Sequence, residues 1–148
     1  MQFLVFALTY PLIWVMSKLP MRILYLKSDF FFFLIYHVFR YRRKVVLDNL
    51  KLAFPEKSDE ERYAISKKFF KHFTDLIIET IKGFSISEKQ ILKRYTYKNP
   101  ELVNNFAKQG KSIALVSPHQ ANWEWSSNLP LVLLDCNLNA TYASLGNK

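Results

Sequence analysis

Two apolar runs near the N-terminus constrain most strongly how this chain can fold. The first run extends from Phe3 to Met16, with Pro11 inside it, and the second extends from Phe30 to Phe39. An α-helix needs about 20 consecutive apolar residues to cross a bilayer upright, and neither run reaches that length. We therefore expect one marginal membrane span, or two helices that lie in the membrane interface.

The N-terminus lacks the early basic residues and the small-residue cleavage site of a signal peptide, so we expect the apolar runs to be retained as an anchor within residues 1–44. The alternative is a buried helical hairpin in a soluble core. The charged residues that divide the two runs speak against that alternative: Lys18, Arg22, Lys27 and Asp29.

The positive charge of the chain is concentrated beside these apolar runs. The net charge is +9; residues 1–54 hold eight Lys/Arg and two Asp, which leaves +6, and residues 55–148 hold the remaining +3. The second run ends at the basic segment 40–44. This pairing favours an anionic membrane surface as a partner. A nucleic-acid-binding protein would carry its basic residues on the folded domain, so we expect no nucleic acid. If the first run spans the bilayer, the Lys/Arg excess after it places the rest of the chain in the cytoplasm.

Cysteine and histidine are too sparse for a disulfide or an evident metal site. Cys136 is the single cysteine, which fits a reducing compartment, and we interpret it as a small buried hydrophobe. The three histidines are scattered along the chain. We therefore predict no metal and no other bound cofactor.

From Val45 onward the pattern changes to amphipathic helices. Ser58 and Glu61 form a capping box at the start of one helix, and Gly83 is a credible end for it. Its lysines at 67, 68 and 71 are interpreted as a solvated face. Two shorter helices follow, from Ser87 through Arg94 and from Pro100 to Gly110. The helix that begins after Ser58 has an apolar row at spacings of three and four: Ile65, Phe69, Phe73, Leu76, Ile77 and Thr80.

The next segment reads as the beginning of a sheet. The short apolar run from Ser112 to Ser117 predicts a buried strand, and a helix from Trp123 to Leu129 and a second strand from Asn139 to Leu145 follow it. A strand, helix and strand in this order describe a βα crossover. The predicted fold class is therefore α/β, with helices packed on a mostly parallel sheet.

One pair of residues at this point could carry chemistry. His119 directly follows the predicted strand, and Glu124 lies five residues later. An imidazole can take a proton from a hydroxyl as it attacks a thioester, and a carboxylate can orient the ring. Residues five apart on one helix point about 140° away from each other, so the pair meets only if the chain turns between them. The spacing alone favours a structural or capping role for His119, and Trp123 and Trp125 are interpreted as core or interface aromatics.

Two motifs resemble a known family. The segment 118–124, Pro-His-Gln-Ala-Asn-Trp-Glu, resembles the His-x4-Asp/Glu motif of the glycerolipid acyltransferase superfamily, and its Asn-Trp-Glu ending is similar to the late acyltransferases of bacterial lipid A biosynthesis, the lauroyl/myristoyl type. Upstream, the basic segment 42–44 is followed by 48–50 (Asp-Asn-Leu), 53–56 (Ala-Phe-Pro-Glu) and 58–62 (Ser-x-x-Glu-Arg), in the order typical of that branch. Together the motifs extend the resemblance over essentially the whole chain.

The resemblance implies a function. His119 would be the general base and Glu124 its charge partner, in a transfer of an acyl chain from acyl carrier protein to a hydroxyl of a lipid A precursor. It also implies a place on the cytoplasmic face of the bacterial inner membrane. Closely related alternatives are coenzyme A as the donor and another glycolipid, an aminolipid or a lysophospholipid as the acceptor.

The chain departs from the family in two respects. The family more often has an aromatic residue and a glycine where this chain has Gln120 and Ala121. Family members are also longer, which implies that residues 45–148 are the N-terminal part of an acyltransferase domain. The alternative from another class is a membrane-anchored module without catalysis. A reading frame that continues past codon 148 would favour the enzyme, and a true stop codon would favour the module.

Overall fold

A computed structural model describes residues 2–118, 120–132, 137 and 139 of the chain. The chain divides into two compact units, unit 1 (Met1–Ile86) and unit 2 (Ser87–Lys148). Unit 1 contains α1 (Gln2–Lys18), α2 (Met21–Phe32), a π-helical segment (Phe33–Val38) that continues α2, α3 (Arg43–Ala53) and α4 (Asp59–Gly83). Unit 2 contains α5 (Glu88–Arg94), α6 (Pro100–Lys108) and a 3-10 helix (Trp123–Leu131).

The prediction of an α/β fold with a parallel sheet is wrong for this structure, because its described residues form helices and no strand. The segment from Ser112 to Ser117 is irregular, and its apolar side chains are exposed, with Val116 at 95%. A strand exists only when its backbone pairs with a neighbouring strand, and an apolar run cannot show whether that neighbour is present. The second predicted strand, Asn139 to Leu145, lies almost entirely outside the described residues.

The predicted starts of α4, α5 and α6 are confirmed. The backbone N–H of Ser58 donates to Glu61 Oε2 at 2.8 Å, and the N–H of Glu61 donates to Ser58 Oγ at 3.2 Å, which completes the capping box of α4. The hydroxyl of Ser87 likewise caps α5, and a proline opens α6. Capping side chains act within one turn of helix, so a short stretch of sequence is sufficient to identify them.

Helix α4 packs against α1, α2, α3 and the π-helical segment, and is therefore the centre of unit 1. The apolar row predicted for α4 is not its buried face, because Phe69, Phe73 and Ile77 are exposed. The period of the sequence thus identified an apolar row but not the row that meets the neighbouring helices. The buried row repeats every four residues and contains small and charged side chains: Arg62, Ser66, Phe70, Thr74, Ile78 and Lys82.

Side-chain hydrogen bonds join α2 to α4. The hydroxyl of Tyr25 donates to Glu79 Oε1 at 2.7 Å, and that of Ser28 donates to Asp75 Oδ1 at 2.6 Å. A hydrogen bond to a charged acceptor contributes about 1.5–3 kcal/mol. These two bonds fix the register of α2 along α4.

A buried lysine joins α4 to the end of α1. The ammonium group of Lys82 donates to the backbone carbonyls of Ser17 at 2.8 Å and Leu19 at 3.1 Å. The last carbonyls of a helix have no partner within the helix, and a cation there also interacts favourably with the helix dipole. Lys82 therefore ends α1 and holds it on α4.

The outer surface of α1 is apolar. None of the helices within the described residues is both long enough and apolar enough to cross a membrane. Yet exposed large apolar side chains cover α1: Phe3, Leu4, Val5, Phe6, Leu8, Leu12, Trp14 and Val15. The structure divides the chain after Ile86. The predicted boundary at residue 44, between a membrane anchor and an acyltransferase domain, is a boundary of function and stays a prediction.

Candidate active site

Glu124 lies in the first turn of the 3-10 helix of unit 2, with its side chain exposed. The helix begins after Asn122, whose carbonyl accepts from the backbone N–H of Trp125 at 3.2 Å. A carboxylate in the first turn of a helix interacts favourably with the unpaired N–H groups there. Because the side chain of Glu124 is exposed, its carboxylate is accessible to a neighbouring group or a substrate.

The chain turns just before this helix. The backbone N–H of Gln120 donates to the carbonyl of Pro118 at 2.9 Å, and Ala121 has φ of 51°. This left-handed conformation costs a residue with a side chain roughly 1–2 kcal/mol, and glycine adopts it without that cost. The glycine that the resemblance leads one to expect at position 121 thus suits the backbone found there.

Of the two predicted catalytic residues, only Glu124 is among the residues that the structure describes. His119 lies outside the described residues, so its distance to Glu124 is not defined, and their pairing stays a prediction. The described residues 120–122 are not helical. The turn that such a pair requires is therefore present on the Glu124 side.

Trp125 anchors the helix that carries Glu124. Its side chain is only 6% exposed, whereas Trp123 is 41% exposed. The amide of Asn128 donates to the backbone carbonyl of Trp125 at 3.0 Å. The prediction of a core aromatic is confirmed for Trp125. Its buried ring determines which face of the helix packs against the rest of unit 2.

Two hydrogen bonds that the motifs do not predict hold the 3-10 helix and the residue that follows it. The hydroxyl of Tyr97 donates to the carbonyl of Ser126, and the amide of Asn104 donates to the carbonyl of Val132, both at 3.3 Å. Burial, with a smaller contribution from Tyr95, raises the pKa of Tyr97 to about 12. The one sequence signal for this role was the tyrosine pair Tyr95 and Tyr97, placed between two capped helices.

Comparison with known families now decides the class. The family model described as bacterial lipid A biosynthesis acyltransferase matches residues 2–138. The chain belongs to that family. The resemblance is confirmed, and the protein is an acyltransferase with a role in lipid A biosynthesis. No curated protein and no solved structure matches the chain.

The upstream motif of this acyltransferase has a structural role in unit 1. Arg62 is 8% exposed, and its guanidinium donates to the carbonyls of Phe54 at 3.3 Å and Pro55 at 3.1 Å. It also donates to Asp59 at 2.8 Å. The arginine of the Ser-x-x-Glu-Arg helix start thus binds the backbone of the Ala-Phe-Pro turn, which explains why the two motifs lie close together in the sequence.

The basic segment 40–44 runs into the start of α3, and its arginines differ in what they contact. The guanidinium of Arg43 lies 5.0 Å from the ring centre of Tyr36 and 5.5 Å from that of Tyr63. Stacking of a guanidinium on aromatic faces stabilises by about 0.5–1 kcal/mol at exposed sites and more when desolvated. Arg43 thus joins three elements of unit 1, while Arg40 and Arg42 are exposed.

Proposed function

We propose that the protein transfers a fatty acyl chain from an acyl carrier protein thioester to a hydroxyl of a lipid A precursor, with His119 and Glu124 as its catalytic pair. The observation that carries the proposal is the family match, which spans both residues. Glu124 supports it further, because its exposed carboxylate follows a tight turn directly after position 119.

The chemistry needs one base and one orienting carboxylate. A ring nitrogen of His119 takes the proton of the acceptor hydroxyl as the oxygen attacks the thioester carbon. The carboxylate of Glu124 accepts the other ring N–H, which fixes the tautomer and stabilises the imidazolium. The new carbon–oxygen bond forms, the carbon–sulfur bond breaks, and the imidazolium returns the proton to the leaving thiolate.

The reaction takes place, in this proposal, at the cytoplasmic face of the bacterial inner membrane. Support comes from the apolar outer surface of α1 and from the exposed aromatic side chains around the π-helical segment, Phe30, Phe31 and Phe33. Large exposed apolar surfaces beside basic residues are typical of proteins that lie in a membrane interface.

The test is an acyl-transfer assay in detergent micelles, with protein expressed from its complete reading frame. Labelled acyl chain is offered on acyl carrier protein or on coenzyme A, with a lipid A precursor or a lysophospholipid as acceptor. We expect transfer from the carrier protein to the lipid A precursor to have the highest kcat/KM. Preference for coenzyme A would contradict the proposed donor, and preference for the lysophospholipid would contradict the proposed acceptor.

A further inference from the structure

Unit 1 contains an open cleft between the end of α2 and the middle of α4 that the proposed reaction does not use. Its volume is about 340 Å³. One aromatic ring, three ammonium groups, an imidazole and one carboxylate line it: Phe32, Lys67, Lys68, Lys71, His72 and Asp75. The excess of cationic groups favours an anion as its ligand.

Two of the three lysines have no counter-charge among the described residues. Lys71 is paired with Asp29, and its ammonium group lies 3.4 Å from Asp75. Partial burial works to lower the pKa of Lys71, but the hydrogen bond to Asp29 and the charge of Asp75 together raise it. Lys67 and Lys68, by contrast, make no ion pair with any residue that the structure describes.

The carboxylates near the cleft are also engaged. Asp75 accepts a hydrogen bond of 2.6 Å from Ser28 in addition to its contact with Lys71. Asp29 is bound by Lys71. Lys71 balances one of these two negative charges, so the two aspartates and the three lysines together have a net charge of +1. Lys67 and Lys68 provide the cationic groups that no described carboxylate contacts.

An apolar surface adjoins the α2 side of the cleft. Phe32 lines the cleft, and its ring stacks on that of Tyr36 at 5.5 Å. The rings of the neighbouring residues Phe31 and Phe33 are exposed. A ligand that fits both surfaces has an anionic group for the lysines and a hydrocarbon chain for these rings.

We infer that this cleft binds the phosphate group of an anionic membrane lipid, with the acyl chains of the lipid along Phe31, Phe32 and Phe33. The inference rests on the membrane association in the proposed function and deepens it. Basic residues at a membrane surface attract anionic lipids, while the apolar rings at the end of α2 enter the acyl boundary.

The experiment is sedimentation of the full chain with phosphatidylcholine vesicles, with and without phosphatidylglycerol. The test variant is Lys67→Gln/Lys68→Gln, and the matched control is Lys89→Gln/Lys93→Gln, which removes the same charge from exposed positions of α5. A lysine near an anionic surface changes binding by about 5-fold, so we expect a loss of roughly 30-fold for the test variant with phosphatidylglycerol. We expect less than about 5-fold for the control.

Binding to pure phosphatidylcholine should be the same for all three proteins, because the apolar surfaces are intact. Equal losses in the two variants would overturn the inference, since a general effect of net charge would then suffice. Binding of wild type to no vesicle at all would overturn both this inference and the proposed membrane association. Wild-type binding that does not depend on phosphatidylglycerol would overturn the cleft alone.

Two further measurements distinguish other anions. If inorganic phosphate at matched ionic strength raises the melting temperature of wild type but not of the test variant, and vesicle binding is equal in the two, the cleft binds free phosphate instead. If the test variant keeps its vesicle binding but loses binding to acyl carrier protein, the surface belongs to a protein partner. Either result would overturn the lipid assignment.

Discussion

The two units differ in how their helices are held. In unit 1, side-chain hydrogen bonds join positions that are 47, 54 and 65 residues apart, and two of these bonds end on carboxylates. In unit 2, Tyr97 and Asn104 each make one hydrogen bond of 3.3 Å to a backbone carbonyl, 29 and 28 residues away. Hydrogen bonds to charged groups contribute about twice as much as neutral ones. Among the residues that the structure describes, unit 1 is thus the more strongly cross-linked region, and the proposed chemistry lies in the other.

This difference matters because unit 2 also contains the strained turn at Ala121 and the exposed apolar segment from Ser112 to Ser117. Substitutions in unit 1 should therefore change stability most, while substitutions in unit 2 should change activity with smaller effects on stability. The tryptophans allow the two to be followed separately, since Trp14 lies in unit 1 and Trp123 and Trp125 lie in unit 2.

The largest stability effect is expected from Arg62→Ala. The carbonyls of Phe54 and Pro55 lose the guanidinium donor, although that of Phe54 keeps the backbone N–H of Lys57 at 3.3 Å. A hydrogen bond to a charged group contributes about 1.5–3 kcal/mol, so we expect a loss of about 1.5–3 kcal/mol. Urea unfolding followed by Trp14 fluorescence, in a background with Trp123 and Trp125 replaced by Phe, measures it.

The matched control for this prediction is Arg94→Ala, at an exposed position of α5, which should change stability by less than about 0.5 kcal/mol. An Arg62→Ala protein with the unfolding midpoint of the Arg94→Ala protein would show that the cross-links of unit 1 do not determine its stability.

A smaller effect is expected from Tyr97→Phe, which removes the hydrogen bond to Ser126 and should cost about 1 kcal/mol. Because the 3-10 helix bears Glu124, the rate of acyl transfer should also fall. Tyr95→Phe is the control, since it keeps the ring contact with Tyr97 at 5.2 Å. Equal activity in the two variants would count against a positioning role for Tyr97.

The pKa of Tyr97 provides a second readout. Burial raises this pKa to about 12, above its ordinary value of 10.0. Between these values the folded state binds more protons than the unfolded state, so stability falls as pH rises through that range. The fall should be smaller in Tyr97→Phe than in Tyr95→Phe, as measured by urea unfolding at a series of alkaline pH values.

The smallest effect is expected from Ala121→Gly. Relief of the left-handed conformation gains roughly 1–2 kcal/mol, and the greater freedom of glycine in the unfolded chain offsets about 0.5–1 kcal/mol. The variant should therefore be more stable by a few tenths to about 1 kcal/mol. Ala107→Gly, inside α6, should be less stable by about 0.5–1 kcal/mol, and a destabilised Ala121→Gly protein would contradict the left-handed turn.

The sequence predicted local features well and long-range ones poorly. The cap at Ser58 and the helix end at Gly83 are confirmed, because they depend on residues within one or two turns. The strand at Ser112–Ser117 is wrong in the described residues, because pairing depends on a segment far along the chain. The buried row of α4, with Ser66 and Lys82 in it, could not be predicted, since what it faces on α1 and α2 decides its burial.

The site shows the same division. The turn before Glu124 followed from the requirement that His119 and Glu124 meet, and the backbone at Ala121 provides one. The supports of the 3-10 helix, Tyr97 and Asn104, were missed because neither lies near the motif in sequence. Arg62 was recognised as part of a motif, but its hydrogen bonds to the Phe54–Pro55 turn became apparent only in the structure.

The central claim is that His119 is the base of an acyl transfer in unit 2, with Glu124 as its partner. The most direct test compares His119→Ala with wild type, in transfer of labelled acyl chain from acyl carrier protein to a lipid A precursor in micelles. General-base catalysis contributes about 10²–10⁴-fold, and we expect kcat to fall by that factor. The melting temperature and the binding to vesicles should remain those of wild type. A His119→Ala protein that folds normally and keeps near wild-type turnover would contradict the account.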